Sequence, residues 1–97
     1  MAVKKTSCRV KKSFVIVNER GLHTRPSAEL VKCASSFKST VNLIHQDLTI
    51  NAKSLLGVLM LAAARGTKLV VEAVGEDAEE AVASILDLAR NKFNIRY

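Results

Sequence analysis

The chain has 97 residues, 48% of them apolar and 25% charged, which is enough for one domain with a single core and too apolar for a disordered segment. No apolar run approaches the roughly 20 residues needed to span a bilayer, and the basic N-terminus lacks an apolar signal-peptide core, so a cytoplasmic protein with no membrane insertion is expected. The net charge of +6 would suit a nucleic-acid binder, but residues 1–12 hold +5 of it through Lys4, Lys5, Arg9, Lys11 and Lys12, and residues 13–97 hold only +1.

Residues 1–12 contain no aromatic side chain to stack on bases, so they read as a solvated basic leader ahead of a domain over residues 13–97. The first predicted element is a strand over Ser13–Val17, short and β-branched, with Phe14 and Ile16 on one face and Phe14 as the first clear core position. Cys8 and Cys33 have no metal-ligand spacing between them or with His23 and His45. Reduced thiols are expected, Cys8 exposed and Cys33 on the margin of a helix face, and neither a metal nor a cofactor is implied.

After the strand comes Gly21-Leu22-His23-Thr24-Arg25-Pro26. Glycine lets the backbone turn sharply, and proline is tolerated in a first helical turn, where its missing N–H would have no partner within the helix. Leu30, Val31, Ala34 and Phe37 then recur at three- and four-residue steps, which predicts a helix from Thr24 to about Phe37 with one buried stripe. His23 therefore falls at or just before a helix start, where outward N–H groups and the dipole attract a phosphoryl oxygen and favour a neutral, nucleophilic ring. Arg25 adds a fixed charge with a forked donor set suited to phosphate. The pair is able to make and hold a phosphohistidine.

Val41 and Leu43 alternate with Thr40 and Asn42, and Ile50 follows His45-Gln46-Asp47-Leu48, predicting a hairpin whose turn lacks the Asn-Gly that tight hairpins favour. His45 should sit in that turn, open to solvent. Ser54 to about Ala63 reads as a short apolar helix ended by Arg65-Gly66, with Ser54 suited to bond an N–H of its first turn. Leu55, Leu56, Gly57, Val58, Leu59, Met60 and Leu61 are too apolar for one buried face, so part of the run should point outward and mark a partner site. Thr67–Val74 is a fourth strand with Leu69, Val71 and Ala73 on one side. Asp77 and Glu80 have capping-box spacing before a last helix that runs its apolar face through Ala78, Ala81, Val82, Ile85, Leu88 and Ala89. The order β-α-β-β-α-β-α implies a two-layer α+β sandwich.

Three of these segments, Gly21 to Pro26, Asn51-Ala52-Lys53-Ser54-Leu55-Leu56-Gly57-Val58 and Ala73-Val74-Gly75-Glu76-Asp77, resemble HPr, the histidine-containing phosphocarrier family of the bacterial phosphoenolpyruvate-dependent sugar phosphotransferase system. The likeness runs from about Phe14 to Phe93. It implies an open-faced sandwich whose antiparallel four-stranded sheet has the order 1-4-2-3, with three helices on one face. It also implies that His23 takes phosphate from enzyme I on Nδ1 and passes it to sugar-specific IIA domains, assisted by Arg25. The chain would then be a monomeric carrier, phosphorylated as an intermediate, rather than an enzyme. Ser54 matches the regulatory serine of members that have an HPr kinase/phosphorylase, and Thr24, Ala28, Leu55, Leu56 and Leu59 match the docking surface.

Departures from the family pattern are the leader, Ser27 in place of the usual alanine after the proline, and Asp47 where glycine is common. Thr24 is an accepted variant. Two other readings remain: a regulatory phosphoprotein of a related relay controlled through His23 or Ser54, and a small basic nucleic-acid-binding module. An intrinsic hydrolase is weaker, because one histidine without a positioned acid or metal cluster is not a catalytic constellation.

Overall fold

Alternating apolar residues build a sheet with one covered face, and the helix stripes supply the cover. The computed structural model describes residues 8–61 and 63–94. Its elements, in chain order, are β1 (Arg9–Val15), α1 (Thr24–Ser35), β2 (Thr40–His45), β3 (Leu48–Asn51), α2 (Leu55–Met60), β4 (Lys68–Val74) and α3 (Ala78–Arg90), followed by a 3-10 turn at Lys92–Asn94. The strands form one antiparallel sheet in the order β1-β4-β2-β3. Three helices cover one face, giving the open-faced sandwich implied by the resemblance.

Register aligns the buried side chains across the sheet. Phe14 faces Leu69, Val71 faces Leu43, Ala73 faces Val41, and Leu43 faces Ile50. Leu30 and Ala34 of α1, Val58 of α2 and Ala78, Ala81, Val82, Ile85 and Ala89 of α3 close over them. Each large side chain removed from water contributes on the order of 1.5–3 kcal/mol, so this layer, rather than helix propensity, holds α1 and α3 in place.

Strand β1 begins at Arg9, four residues before the predicted Ser13, so the boundary expected between residues 12 and 13 falls inside a strand. An apolar run was the wrong marker for a strand on the sheet edge. Such a strand needs its ladder on one side only and tolerates lysine and arginine, which also discourage pairing with another chain. Arg9 faces Val74 in the register, and its Nε lies 3.3 Å from Glu72 Oε2. Val10 packs against the core. Of the basic leader, residues 1–7, with Lys4 and Lys5, lie outside the described residues. Cys8 is half-buried rather than exposed, and its carbonyl accepts from the N–H of Gly75 at 2.9 Å. Cys33 is also a half-buried free thiol, and burial pushes its pKa up.

The remaining differences are local. Gln46 makes the β2–β3 turn with a φ of 55°, a left-handed conformation that a non-glycine residue adopts at a cost. The fold accepts that cost because His45 and Leu48 are held as a ladder pair on either side. His45 is half-buried at the end of β2 rather than open in the turn. Helix α1 ends at Ser35, and α2 ends at Met60, short of the predicted Ala63. Asp77 does not cap α3 with its side chain. Its carboxylate accepts instead from the N–H groups of Lys38 and Ser39, each at 2.9 Å, and from the Ser39 hydroxyl. The connection between α1 and β2 thus takes the acid that the capping-box pattern assigned to α3. Beyond α3, Phe93 is fully buried although Lys92, Phe93 and Asn94 all have positive φ, so packing of one aromatic ring holds a backbone that would otherwise relax.

Candidate functional site

The loop before α1 is fixed by its backbone. Asn18, Glu19, Arg20 and Gly21 form a turn closed by the Gly21 N–H on the Asn18 carbonyl at 2.9 Å, and the buried Asn18 donates through Nδ2 to the Lys92 carbonyl at 2.9 Å. Leu22 then donates its N–H to the Ala63 carbonyl at 2.8 Å. Gly21 is required twice over. Its φ is +69°, and a Cβ there would stand 2.3 Å from the Ala63 carbonyl oxygen and 2.9 Å from the Ala64 Cα. The loop therefore lies directly on the segment joining α2 to β4.

His23 is the N-cap of α1, with extended backbone, and its carbonyl accepts the first helical bond from the Ser27 N–H at 3.0 Å. Its side chain makes no cap bond and is half-buried. Pro26, third in the helix, is buried at a position where no intrahelical partner would await its N–H. Ser27 is buried too, and its hydroxyl donates to the Leu22 carbonyl at 2.9 Å. That bond satisfies the polar group introduced by the departure from alanine and ties the first turn to the loop.

An open hollow of about 350 Å3 lies beside the ring, lined by Arg20, Leu22, His23, Thr24, Leu59, Ala63 and Ala64. Three stretches of chain meet there: the loop, the start of α1 and the end of α2 with its following segment. Thr24 and Leu59 are thus brought beside His23. Leu55 and Leu56, four and three residues before Leu59 on α2, are exposed at 39% and 69%, and Met60 at 68%, so the short helix turns much of its apolar surface outward. Ala28 is exposed one turn beyond Thr24 on α1. Arg25 is exposed in the first turn of α1 and is not among the residues lining the hollow. Arg20 is, and the sequence reading missed it; an arginine three residues ahead of the histidine, inside a turn, was the signal available.

Ser54 stands at the start of α2, where its Oγ accepts from the Gly57 N–H at 3.1 Å. The approach to it is ordered by the Lys53 N–H on Asn51 Oδ1 at 2.8 Å, the Ser54 N–H on the Asn51 carbonyl at 3.0 Å, and Lys53 Nζ on the Phe37 carbonyl at 2.8 Å. Among the described residues no three His, Cys, Asp or Glu side chains gather as a metal site, and no helix is long and apolar enough to cross a membrane.

A histidine at a helix start, on an open-faced sandwich of this strand order, is the arrangement expected of a small phosphocarrier domain. The family model described as the PTS HPr component phosphorylation site matches residues 10–91. The phosphocarrier protein HPr of Neisseria meningitidis serogroup A is 42% identical over 84 residues, spanning 87% of this chain and 94% of that protein. HPr-C-His from Thermoanaerobacter tengcongensis superposes with a TM-score of 0.86 at 34% identity, covering 91% of this chain and 99% of that one. Crh, a catabolite repression protein of Bacillus subtilis, superposes at 0.69 with 33% identity, covering 95% and 97%. The chain belongs to the HPr family of phosphocarriers in the phosphotransferase system.

Proposed function

We propose that the chain accepts a phosphoryl group from enzyme I on His23 and delivers it to sugar-specific IIA domains during phosphoenolpyruvate-dependent sugar uptake. The observation that carries this reading is the position of His23: an N-cap residue whose side chain makes no cap bond and which lines an open hollow. Neutral imidazole attacks phosphorus, and the helix start and Arg25 stabilise the charge on the phosphoryl oxygens. Positioning and charge do most of the work in such a transfer, so the protein acts as a carrier phosphorylated in transit and not as an enzyme with its own substrate. Thr24, Ala28, Leu55, Leu56 and Leu59 form the surface on which enzyme I and the IIA domains alternate, and the exposure of α2 supports this. A monomer in the cytoplasm suits a group that must enter two partners' active sites in turn.

Incubation with enzyme I and phosphoenolpyruvate should place an acid-labile phosphate on His23, mapped by mass spectrometry under alkaline conditions. Phosphate on another residue, or none, overturns the reading. Arg25→Ala should slow the transfer without preventing it. A second reading, regulation through Ser54 by an HPr kinase, is supported by the likeness to Crh and by the place of Ser54 at a helix start, where an added phosphate faces the favourable end of the dipole. Serine labelling by such a kinase and ATP tests it. Nucleic acid is the least supported partner, since residues 13–97 carry a net charge of only +1.

A further inference from the structure

We infer that Arg20 is a second phosphoryl-recognising cation of the His23 site, alongside Arg25; the inference rests on His23 being the phosphoryl acceptor. Among the described residues lining the hollow beside the ring, Arg20 is the only cation and Thr24 the only other uncharged polar side chain besides the histidine; Leu22, Leu59, Ala63 and Ala64 are apolar. A phosphoryl dianion entering that space meets one forked donor suited to its oxygens.

The second argument is rigidity. Arg20 sits at the third position of the Asn18–Gly21 turn. That turn is closed by its own backbone bond, held through Asn18 to the Lys92 carbonyl, and followed at once by the Leu22 bond to Ala63 and by the glycine contact with Ala63 and Ala64. The backbone under Arg20 is therefore fixed relative to His23, three residues on. A backbone already fixed in this way loses less entropy around an incoming phosphate than a mobile loop would. Arg25 stands exposed in the first turn of α1 and does not line this hollow. The two arginines thus stand on different elements, one before the histidine in sequence and one after it.

A small donor separates this contribution from partner docking. With phosphoramidate, the phosphorus–nitrogen bond breaks as an imidazole nitrogen of His23 forms its bond to phosphorus. The leaving nitrogen departs as ammonium, carrying the proton displaced from the ring and the acidic proton of the donor. The rate of phosphohistidine formation, followed by phosphorus NMR, should fall about two- to fivefold in Arg20→Gln at low ionic strength, and Arg20→Lys should recover most of it. The gap should narrow in about 0.5 M salt, as a charge effect at an exposed site must, while the melting temperature stays unchanged. Equal rates for Arg20→Gln and wild type at low salt overturn the inference, and so does a loss that neither lysine nor salt alters. Wild type that takes phosphate from phosphoramidate but not from enzyme I would defeat the carrier reading and leave the Arg20 comparison standing; no labelling by either donor removes both.

Discussion

His23 and Ser54 both stand at helix N-caps with extended backbone, at φ −80° and −108°, yet only the serine makes a side-chain cap bond, with the Gly57 N–H. Length and packing account for the difference. Helix α2 has six residues and one fully buried side chain, Val58, so a cap bond of about 1 kcal/mol is a large share of what holds it. Helix α1 has twelve residues, buries Pro26, Ser27, Leu30 and Ala34, and is tied at its start by the Ser27 hydroxyl on the Leu22 carbonyl. A long, well-packed helix can leave its N-cap residue to chemistry, and a short one cannot. The same comparison separates the two phosphorylation candidates: a phosphate on His23 displaces no cap bond, whereas a phosphate on Ser54 replaces one.

Removing the acceptor should have the largest effect. His23→Ala should take no phosphate from enzyme I, and its melting temperature should stay close to wild type because no side-chain cap bond is lost. Labelling at unchanged yield would end the assignment. A large drop in melting temperature would show that the ring supports α1 after all, which breaks the contrast with Ser54.

Gly21→Ala tests whether the loop under His23 is clamped. The added methyl meets the Ala63 carbonyl in a backbone conformation that disfavours alanine, so chemical denaturation should show a loss of about 2–4 kcal/mol, with slower transfer from enzyme I as the loop lifts. A change under about 0.5 kcal/mol would mean that the loop yields freely and that its bonds to Ala63 do not position the histidine.

Ser54 should respond in the opposite sense to His23. Ser54→Ala should lower stability by about 1 kcal/mol and leave histidine phosphorylation at the wild-type rate. Ser54→Asp keeps a good capping residue, so the melting temperature should barely move, while a negative charge beside Leu55, Leu56 and Leu59 slows transfer from enzyme I several-fold. If both variants transfer at the wild-type rate, Ser54 is a helix cap and the regulatory reading falls, with the carrier reading intact.

Much of this was legible in the sequence because it rests on spacing. The period of Leu30 and Ala34, the alternation of Leu69, Val71 and Ala73, and the glycine, histidine, arginine and proline of the loop are local patterns, and they mark the elements and the proposed acceptor. What escaped depends on neighbours distant in the chain. The strand at Arg9 to Lys12 exists because Val74 to Val71 lie beside it, and the basic residues that hid it are tolerated there only because β1 is an edge. Arg20 gained a role only when the segment after α2 closed the hollow. The half-burial of His45 follows from the register of β2 and β3, which the turn residues did not determine.

The third helix start sharpens the comparison and should show the smallest effect on transfer. Asp77 precedes α3 but bonds Lys38 and Ser39 across the fold, and these bonds, the Ser39 hydroxyl first and the Lys38 N–H next, hold its carboxyl down at about 2. A carboxyl depressed in the folded state stabilises the fold fully above its ordinary value near 3.8, and that stabilisation fades as pH falls toward about 2. The stability difference between wild type and Asp77→Ala should therefore be constant from pH 7 to about 5 and shrink between about pH 4 and 2, when measured by urea denaturation at each pH. Histidine phosphorylation at neutral pH should not change, because the bonds join the α1–β2 connection to the start of α3 and touch none of the residues lining the hollow. A difference that persists undiminished at pH 2 would show that the aspartate acts by something other than its charge. A loss of transfer would show that the far end of α1 communicates with its start, and the independence of the three helix starts would then have to be given up.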